Sequence, residues 1–254
     1  SALSFIMSNL NDLATDLHIW SSNEFSLVEL NDAFCSTSSI FPQKKNPVTL
    51  ETIKSAAGAA VTWFATALAT FRGEGTGDQA IKSVGLLDQA FDTVSNMLEL
   101  MTAIVGTLQV HQARMSGLLE TSWSTSSNLA DVLVQSFGLS FRQAHHVVGR
   151  LVRIAVQEKT GRRDVTTGLL DRAATETIGR AIGMSEVRLG AALDPRQFIV
   201  GCVSSGSVGP AEVDKMVAAA IETQVAHTST LQRRTQSLSS ADDLLEQAVH
   251  AIIG

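Results

Sequence analysis

The densest group of chemically useful side chains in the chain runs from Ser36 to Glu51, STSSIFPQKKNPVTLE. Two adjacent hydroxyls, Ser38 and Ser39, precede a cation, Lys44, and a neutral amide, Asn46, with Pro42 and Pro47 stiffening the run. A helix starting at Pro47 would present its N-terminus, the positive end of its dipole, to the same spot. An ammonium, an amide and a helix N-terminus together suit a carboxylate, above all one that gains charge in a transition state. A serine beside them acts as base or nucleophile only where its surroundings lower its pKa, and nearby cations are one means of doing so. Ser, Pro, Lys and Asn also crowd ordinary loops, so it is the order of these residues that singles the segment out.

The elements that must position this group are helical. The only prolines are Pro42, Pro47, Pro195 and Pro210, and the long proline-free stretch between Pro47 and Pro195 is rich in helix formers. The spacing predicts the end of a long helix over 2–20, where Leu3, Ile6, Leu10, Leu13 and Leu17 recur on one face. An irregular stretch follows over 21–46. A long helix is expected over 47–72, with Pro47 in its first turn where a missing N–H costs nothing, then a glycine-rich loop over 73–83 and a third long helix over 84–115. Shorter helices are expected over 124–137, 141–157, 167–182, 185–192 and 210–237, with one more near 240–252. Gly138, Gly161, Gly183 and the GSVGP turn at 206–210 punctuate them. No segment alternates with a period of two between turn pairs, so no substantial sheet is expected. The fold class is therefore all-α. The shortening of the helices puts a boundary near 115–123, dividing 1–117 from 118–254.

The order Ser-Ser-x-x-Pro-x-Lys-x-Asn-Pro over 38–47 resembles the signature loop of the fumarase/aspartase superfamily, usually read GSSxMPxKxNP. PQKKNP followed by Leu50 and Glu51 is most similar to the argininosuccinate lyases. DLHIWSSNEFSLVELNDAF (16–34), FRQAHHVVGRLV (141–152), ALDPRQFI (192–199) and GSVGPAEV (206–213) resemble other segments of that family, so the likeness covers nearly the whole chain. The resemblance implies a long-helix bundle, the C-terminal part of the family's central domain, over 1–117 and a smaller helical domain over 118–254. It also implies a carbon–nitrogen lyase that releases fumarate from an N-substituted aspartate. Ser38 matches the family's catalytic base, which takes a proton from the carbon beside a carboxylate. Ser39, Lys44 and Asn46 match residues that bind that carboxylate and stabilise the aci-carboxylate it becomes. Glu51 matches a glutamate that orients a histidine, and that histidine belongs to family segments upstream of residue 1. Gln79 and Lys82 keep the mutual spacing of the Gln and Lys that hold the amine end of the substrate.

The chain departs from the family at several positions. Thr37 stands for Gly, Phe41 for Met, Val48 for the Asp after the Asn-Pro pair, and Asp12 for an Arg. The tyrosine of the family's YxxxxQxxK pattern has no counterpart, since the chain contains no Tyr. A guanidinium site that lacks one hydrogen-bond partner loses affinity for that ligand, so "N-substituted aspartate" is the firmer expectation and the amine half is left open. Ethylenediamine disuccinate is one alternative adduct. A non-catalytic, crystallin-like or degenerate paralogue is a second reading, and an accessory helical interaction module a third, which the intact signature order speaks against.

Composition narrows the classes. The net charge is −6 with no basic tract, which argues against nucleic acid and against a polybasic membrane contact. The longest uncharged run, Ser55 to Phe71, falls short of the roughly 20 residues that span a bilayer. Only 17% of residues are charged, and surface so poor in charge is often surface hidden against partner subunits. The family resemblance implies a homotetramer whose active sites combine segments of several subunits. Cys35 and Cys202 suggest no disulfide framework, and a reducing, cytoplasmic setting is expected. No cofactor and no metal are expected. His145 and His146 are adjacent and point about 100° apart on a helix, so they cannot easily share one ion. His18, His111, His227 and His250 read as isolated surface or core histidines, and Arg162–Arg163 as a solvated turn. The chain opens on Ser1 in a helix-patterned run without a cap, which reads as a fragment or processed product that needs its N-terminal half.

Overall fold

The computed structural model describes residues 1–37, 40–41, 44–70 and 84–253. The chain divides into two compact units, Ser1–Leu118 and Leu119–Gly254. The expected all-α class is what the structure shows; the strands are two-residue pairs.

In the first unit, helix α1 (Ala2–Trp20) buries Met7, Leu10, Ala14 and Leu17, and helix α2 (Val48–Ala60) buries Leu50, Ile53, Ala57 and Ala60. Both sets repeat at steps of three and four, the stripe of a helix face. Ala14, Ala57 and Ala60 keep the seam narrow, and the Ser4 hydroxyl donates to the Ala60 carbonyl across it at 2.9 Å. Helix α3 (Trp63–Thr70) follows α2 after a break at Val61–Thr62, so the helix expected over 47–72 is two helices as far as it is described. Helix α4 (Val84–Gly106) lays Val94, Met101 and Ile104 against α1 and α2. The expected 84–115 helix stops at Gly106. Gln109–Val110 instead form strand β4, antiparallel to β1 (Val28–Glu29), and helix α5 begins afresh at Gln112 and runs to Thr121. That non-local pairing ends the helix. Phe5, Val61, Phe64, Leu68, Leu87 and Phe91 remain more than half exposed in this unit.

The second unit is built round helix α7 (Phe141–Gln157), whose bounds are those expected. Its start is fixed by a capping box: the Ser140 side chain accepts from the Gln143 N–H while the Gln143 side chain accepts from the Ser140 N–H. Ala144, Val147, Val148, Leu151, Ile154 and Ala155 are buried between helix α6 (Ser126–Phe137) and helix α8 (Thr167–Ile178). Each fully buried Leu or Val contributes about 1.5–3 kcal/mol. Gly138 ends α6 at φ 66° and Gly179 ends α8 at φ 74°, both left-handed caps that favour glycine. The latter stops α8 four residues short of the expected 182, and the Asp171 carboxylate then collects the Ile182 and Gly183 N–H groups at 2.8 and 3.0 Å. Helix α9 (Glu186–Leu193) is capped by Ser185. Helix α10 (Pro195–Val200), unforeseen from the sequence, is capped by Asp194 with Pro195 at its first position. The expected pair 210–237 and 240–252 is one helix, α11 (Pro210–Ile253), 44 residues long with none of them buried. Among the described residues no helix is long and apolar enough to cross a membrane.

Arg162 corrects the expectation of a solvated turn. It sits in a 3₁₀ turn (Arg162–Asp164) at 6% exposure, and its guanidinium donates to the Leu193 carbonyl. The buried Thr125 hydroxyl donates to the same carbonyl at 2.9 Å, and the Asn128 amide to the Ala192 carbonyl at 2.8 Å. The C-terminus of α9 would otherwise bury orphan carbonyls, and a cation there also meets the negative end of the helix dipole. Arg163, by contrast, is exposed and pairs with Glu120. We expect Arg162→Met to lower the unfolding free energy by roughly 2–4 kcal/mol in a denaturant titration, whereas Arg163→Met stays within about 0.5 kcal/mol.

Glu186 gives a pH signature. Its carboxylate accepts from the Thr167 hydroxyl at 2.7 Å and from the Thr167 N–H at 2.9 Å, and these bonds hold its pKa below the ordinary glutamate value. A depressed carboxyl adds stability that is present above its unfolded-state pKa and is lost as pH falls through the folded-state value. Thr167→Val, followed by thermal melts from neutral to acid pH, should therefore flatten the loss of stability on the acid side.

Candidate functional site

The segment with the signature order is organised by its two ends. Strand β2 (Ser36–Thr37) pairs antiparallel with strand β3 (Lys45–Asn46), Ser36 opposite Asn46 and Thr37 opposite Lys45. The chain thus leaves the pair at Thr37 and re-enters it at Lys45. Ser38, Ser39, Gln79 and Lys82 lie outside the described residues, as do Pro42, Gln43 and the whole 73–83 stretch. Lys44, Asn46 and Glu51 are placed: Lys44 is exposed, Asn46 half-buried, and Glu51 exposed one turn into α2.

The base of the loop is tied to the helices. Pro47 is the N-cap of α2, and its carbonyl accepts from the Leu50 and Glu51 N–H groups at 3.0 and 3.2 Å. Thr49 donates its hydroxyl to the Phe34 carbonyl at 2.8 Å, fastening the first turn of α2 to the end of the 3₁₀ turn that leads into β2. A 3₁₀ turn (Asp32–Phe34) precedes that strand, capped by the Asn31 side chain, which accepts from the Ala33 N–H at 3.0 Å. Thr37, which stands where the family pattern has glycine, lies in β2 and is not among the positive-φ residues, so its Cβ meets no left-handed strain.

A cleft of about 600 Å³ opens beside this base. Its walls include Lys44, Lys45 and Phe41 from the loop, Glu29 from β1, His18 from the last turn of α1, and His111 from the segment after β4. Lys45 places its ammonium 2.5 Å from Glu29 Oε1 and 2.5 Å from Asp32 Oδ1. These two carboxylates hold the Lys45 pKa well above the ordinary lysine value. Lys44 has no carboxylate partner among the described residues. Cys35 is turned toward the same cleft, where burial pushes its thiol pKa up, and a thiol so shifted is a poor nucleophile.

Two histidines far apart in the chain, His18 and His111, both line this cleft. His111 Nδ1 lies 3.0 Å from the Ser26 carbonyl and its Nε2 3.8 Å from Glu29 Oε2, while its backbone N–H donates to Leu27 at 2.9 Å. Ser26 itself takes φ 49°, a left-handed value that is uncommon for a residue with a Cβ. Arg114 braces the same stretch, donating to the Phe25 and Glu24 carbonyls at 3.0 and 2.9 Å. His18 Nδ1 is buried without a hydrogen-bond partner among the described residues. No spacing rule links His18 to His111, so only the tertiary fold could reveal the pair. His145 and His146 lie exposed on α7.

The family model described as "Lyase" matches residues 1–62, and that described as "Argininosuccinate lyase C-terminal" matches residues 123–199. Argininosuccinate lyase 1 of Shouchella clausii is 30% identical over 247 residues, 96% of this chain and 50% of that protein. The argininosuccinate lyase of Chelativorans sp. strain BNC1 is 33% identical over 216 residues, 83% of this chain and 43% of that protein. A solved variant of EDDS lyase with bound fumarate superposes with a TM-score of 0.87 at 28% identity, covering 99% of this chain and 50% of its own. The chain spans about half the length of the curated relatives it matches.

Removing the Thr49 hydroxyl should loosen the loop's base without emptying the core. Thr49→Val is expected to cost about 1 kcal/mol in equilibrium unfolding, and no change within error would show that the Phe34 contact is not needed there.

Proposed function

This chain belongs to the fumarase/aspartase superfamily as an argininosuccinate lyase-like protein, and from that membership we propose that it serves a carbon–nitrogen lyase that releases fumarate from an N-substituted aspartate. The observation that carries the proposal is the signature order itself, flanked by the β2–β3 pair and with Lys44 on the wall of a cleft. Residues 1–117 would then be the C-terminal part of a central long-helix bundle and 118–254 the small C-terminal helical domain.

In this reading Ser38 removes the proton from the carbon beside the substrate carboxylate. The electron pair moves into that carboxylate, giving an aci-carboxylate with an extra negative charge. Lys44, Asn46 and the Ser39 hydroxyl hold it, and a site that binds the extra charge better than the ground state lowers the barrier. The pair then returns to form the C=C bond of fumarate as the C–N bond breaks, and an acid protonates the leaving nitrogen. Glu51, exposed on the first turn of α2, orients the histidine that the family places in another segment. Gln79 and Lys82 hold the amine end. Argininosuccinate is the first substrate to test. The missing tyrosine and the likeness to EDDS lyase keep ethylenediamine disuccinate beside it. The large apolar side chains left exposed on the first unit support assembly into a homotetramer in which neighbouring copies complete each site. A cytoplasmic setting in amino-acid metabolism goes with this reading.

The test is fumarate release, followed by ultraviolet absorbance, from both adducts. It should use the longest polypeptide that carries this segment. We expect turnover of at least one adduct and a loss of about a thousandfold in kcat for Ser38→Ala. Absence of fumarate from any N-substituted aspartate would favour the non-catalytic paralogue, for which the departures at Thr37, Val48 and Asp12 speak.

A further inference from the structure

We propose that the twin lysines of the loop have divided roles: Lys44 is the cation offered to the substrate, and Lys45 is a positioning residue that clamps the returning arm of the loop to the body of the unit. This rests on the lyase reading above for its catalytic consequence, though not for the clamp itself.

The division follows from strand geometry. Lys44 and Lys45 both line the cleft, but only Lys45 belongs to β3, where side chains alternate and it projects to the side opposite Asn46. On its side it meets Glu29 and Asp32, each 2.5 Å from the ammonium. Glu29 belongs to β1, which is paired in turn with Gln109–Val110. His111, next along that strand's chain, reaches both Glu29 and the Ser26 carbonyl. One ammonium therefore ties the arm Lys45–Asn46 to the stretch 26–32, and through it to 109–111. The β2–β3 pair alone, two residues a side, fixes the arms to each other but to nothing else.

Charge supports the same division. Lys45 with Glu29 and Asp32 sums to −1, so this group offers no net attraction to a dicarboxylate. Lys44 lies on the cleft wall with its charge uncompensated by any described carboxylate. The clamp is solvent-exposed, and exposed ion pairs stabilise a fold little. Its effect is on geometry: an error of about 1 Å in a reacting group can cost about a hundredfold in rate.

A double-mutant cycle separates a clamp from a direct electrostatic effect. Lys45→Met and Glu29→Gln/Asp32→Asn, which removes both carboxylates of the clamp, should each lower kcat about tenfold with KM changed less than threefold, and the combined variant should be no worse than either. Lys45→Arg, which keeps the charge, should recover turnover to within about threefold. If Lys45 acted on the substrate directly, Glu29→Gln/Asp32→Asn would leave kcat unchanged or raise it, and the combined variant would show independent losses; either result overturns the proposal. Amide hydrogen exchange across 36–46 reads the clamp without turnover. It should quicken severalfold and equally in Lys45→Met and in Glu29→Gln/Asp32→Asn, without further gain when they are combined. A protein that releases no fumarate yet shows this coupled exchange sinks the lyase reading and upholds the clamp. Exchange that ignores both substitutions sinks the clamp even in an active lyase.

Discussion

Everything near the cleft depends on a backbone pairing of two residues a side. Ser36–Thr37 and Lys45–Asn46 are too short to hold together in isolation, since a lone two-stranded pair is marginal even at greater length. The pairing survives because its surroundings are already fixed. Thr49 joins the helix after it to the 3₁₀ turn before it, and that turn is set by the Asn31 cap. Helix α2, which follows the loop, is seated on α1 through a stripe of leucine, isoleucine and alanine. The local chemistry thus borrows its precision from a helix–helix seam that contributes no reactive group.

The two units solve the same problem of helix ends in different ways. In the second unit the solution is local: Ser140, Thr166, Ser185 and Asp194 each cap the helix that follows, and Gly138 and Gly179 end the helix before. Where two ends meet in the interior, at Ala192 and Leu193, local caps do not suffice. Three side chains from elsewhere, Thr125, Asn128 and Arg162, turn inward to accept the task. In the first unit the tie is by strand and side chain across long sequence gaps, as His111 and Arg114 show by reaching back to residues 24–27.

This contrast explains what the sequence could tell. Helix α7 was legible to the residue because its capping box and its apolar stripe are both written within 141–157 and its flank. The end of α4 was not, because what stops it is a pairing with Val28–Glu29, some eighty residues away. Arg162 looked solvated because the carbonyl it serves lies 31 residues on. The interruption expected between 237 and 240 is absent: Leu238 is a good helix former, Ser239 carries only a small propensity penalty, and the helix runs through. At the candidate site the order of residue types announced a carboxylate-handling loop. It could not say that neighbouring lysines face different partners, since Glu29 and Asp32 are brought to Lys45 only by the fold.

Gly209 stands at the root of the longest helix. A Cβ placed there would come within 2.0 Å of the Cys202 carbonyl oxygen, so the chain turns on a point where no other amino acid fits without moving the backbone. From that pivot α11 extends 44 residues, about 66 Å at 1.5 Å per residue. A rotation of about ten degrees at the base would sweep the far tip through about 11 Å on that length. The smallest residue in the chain therefore sets the aim of its longest lever.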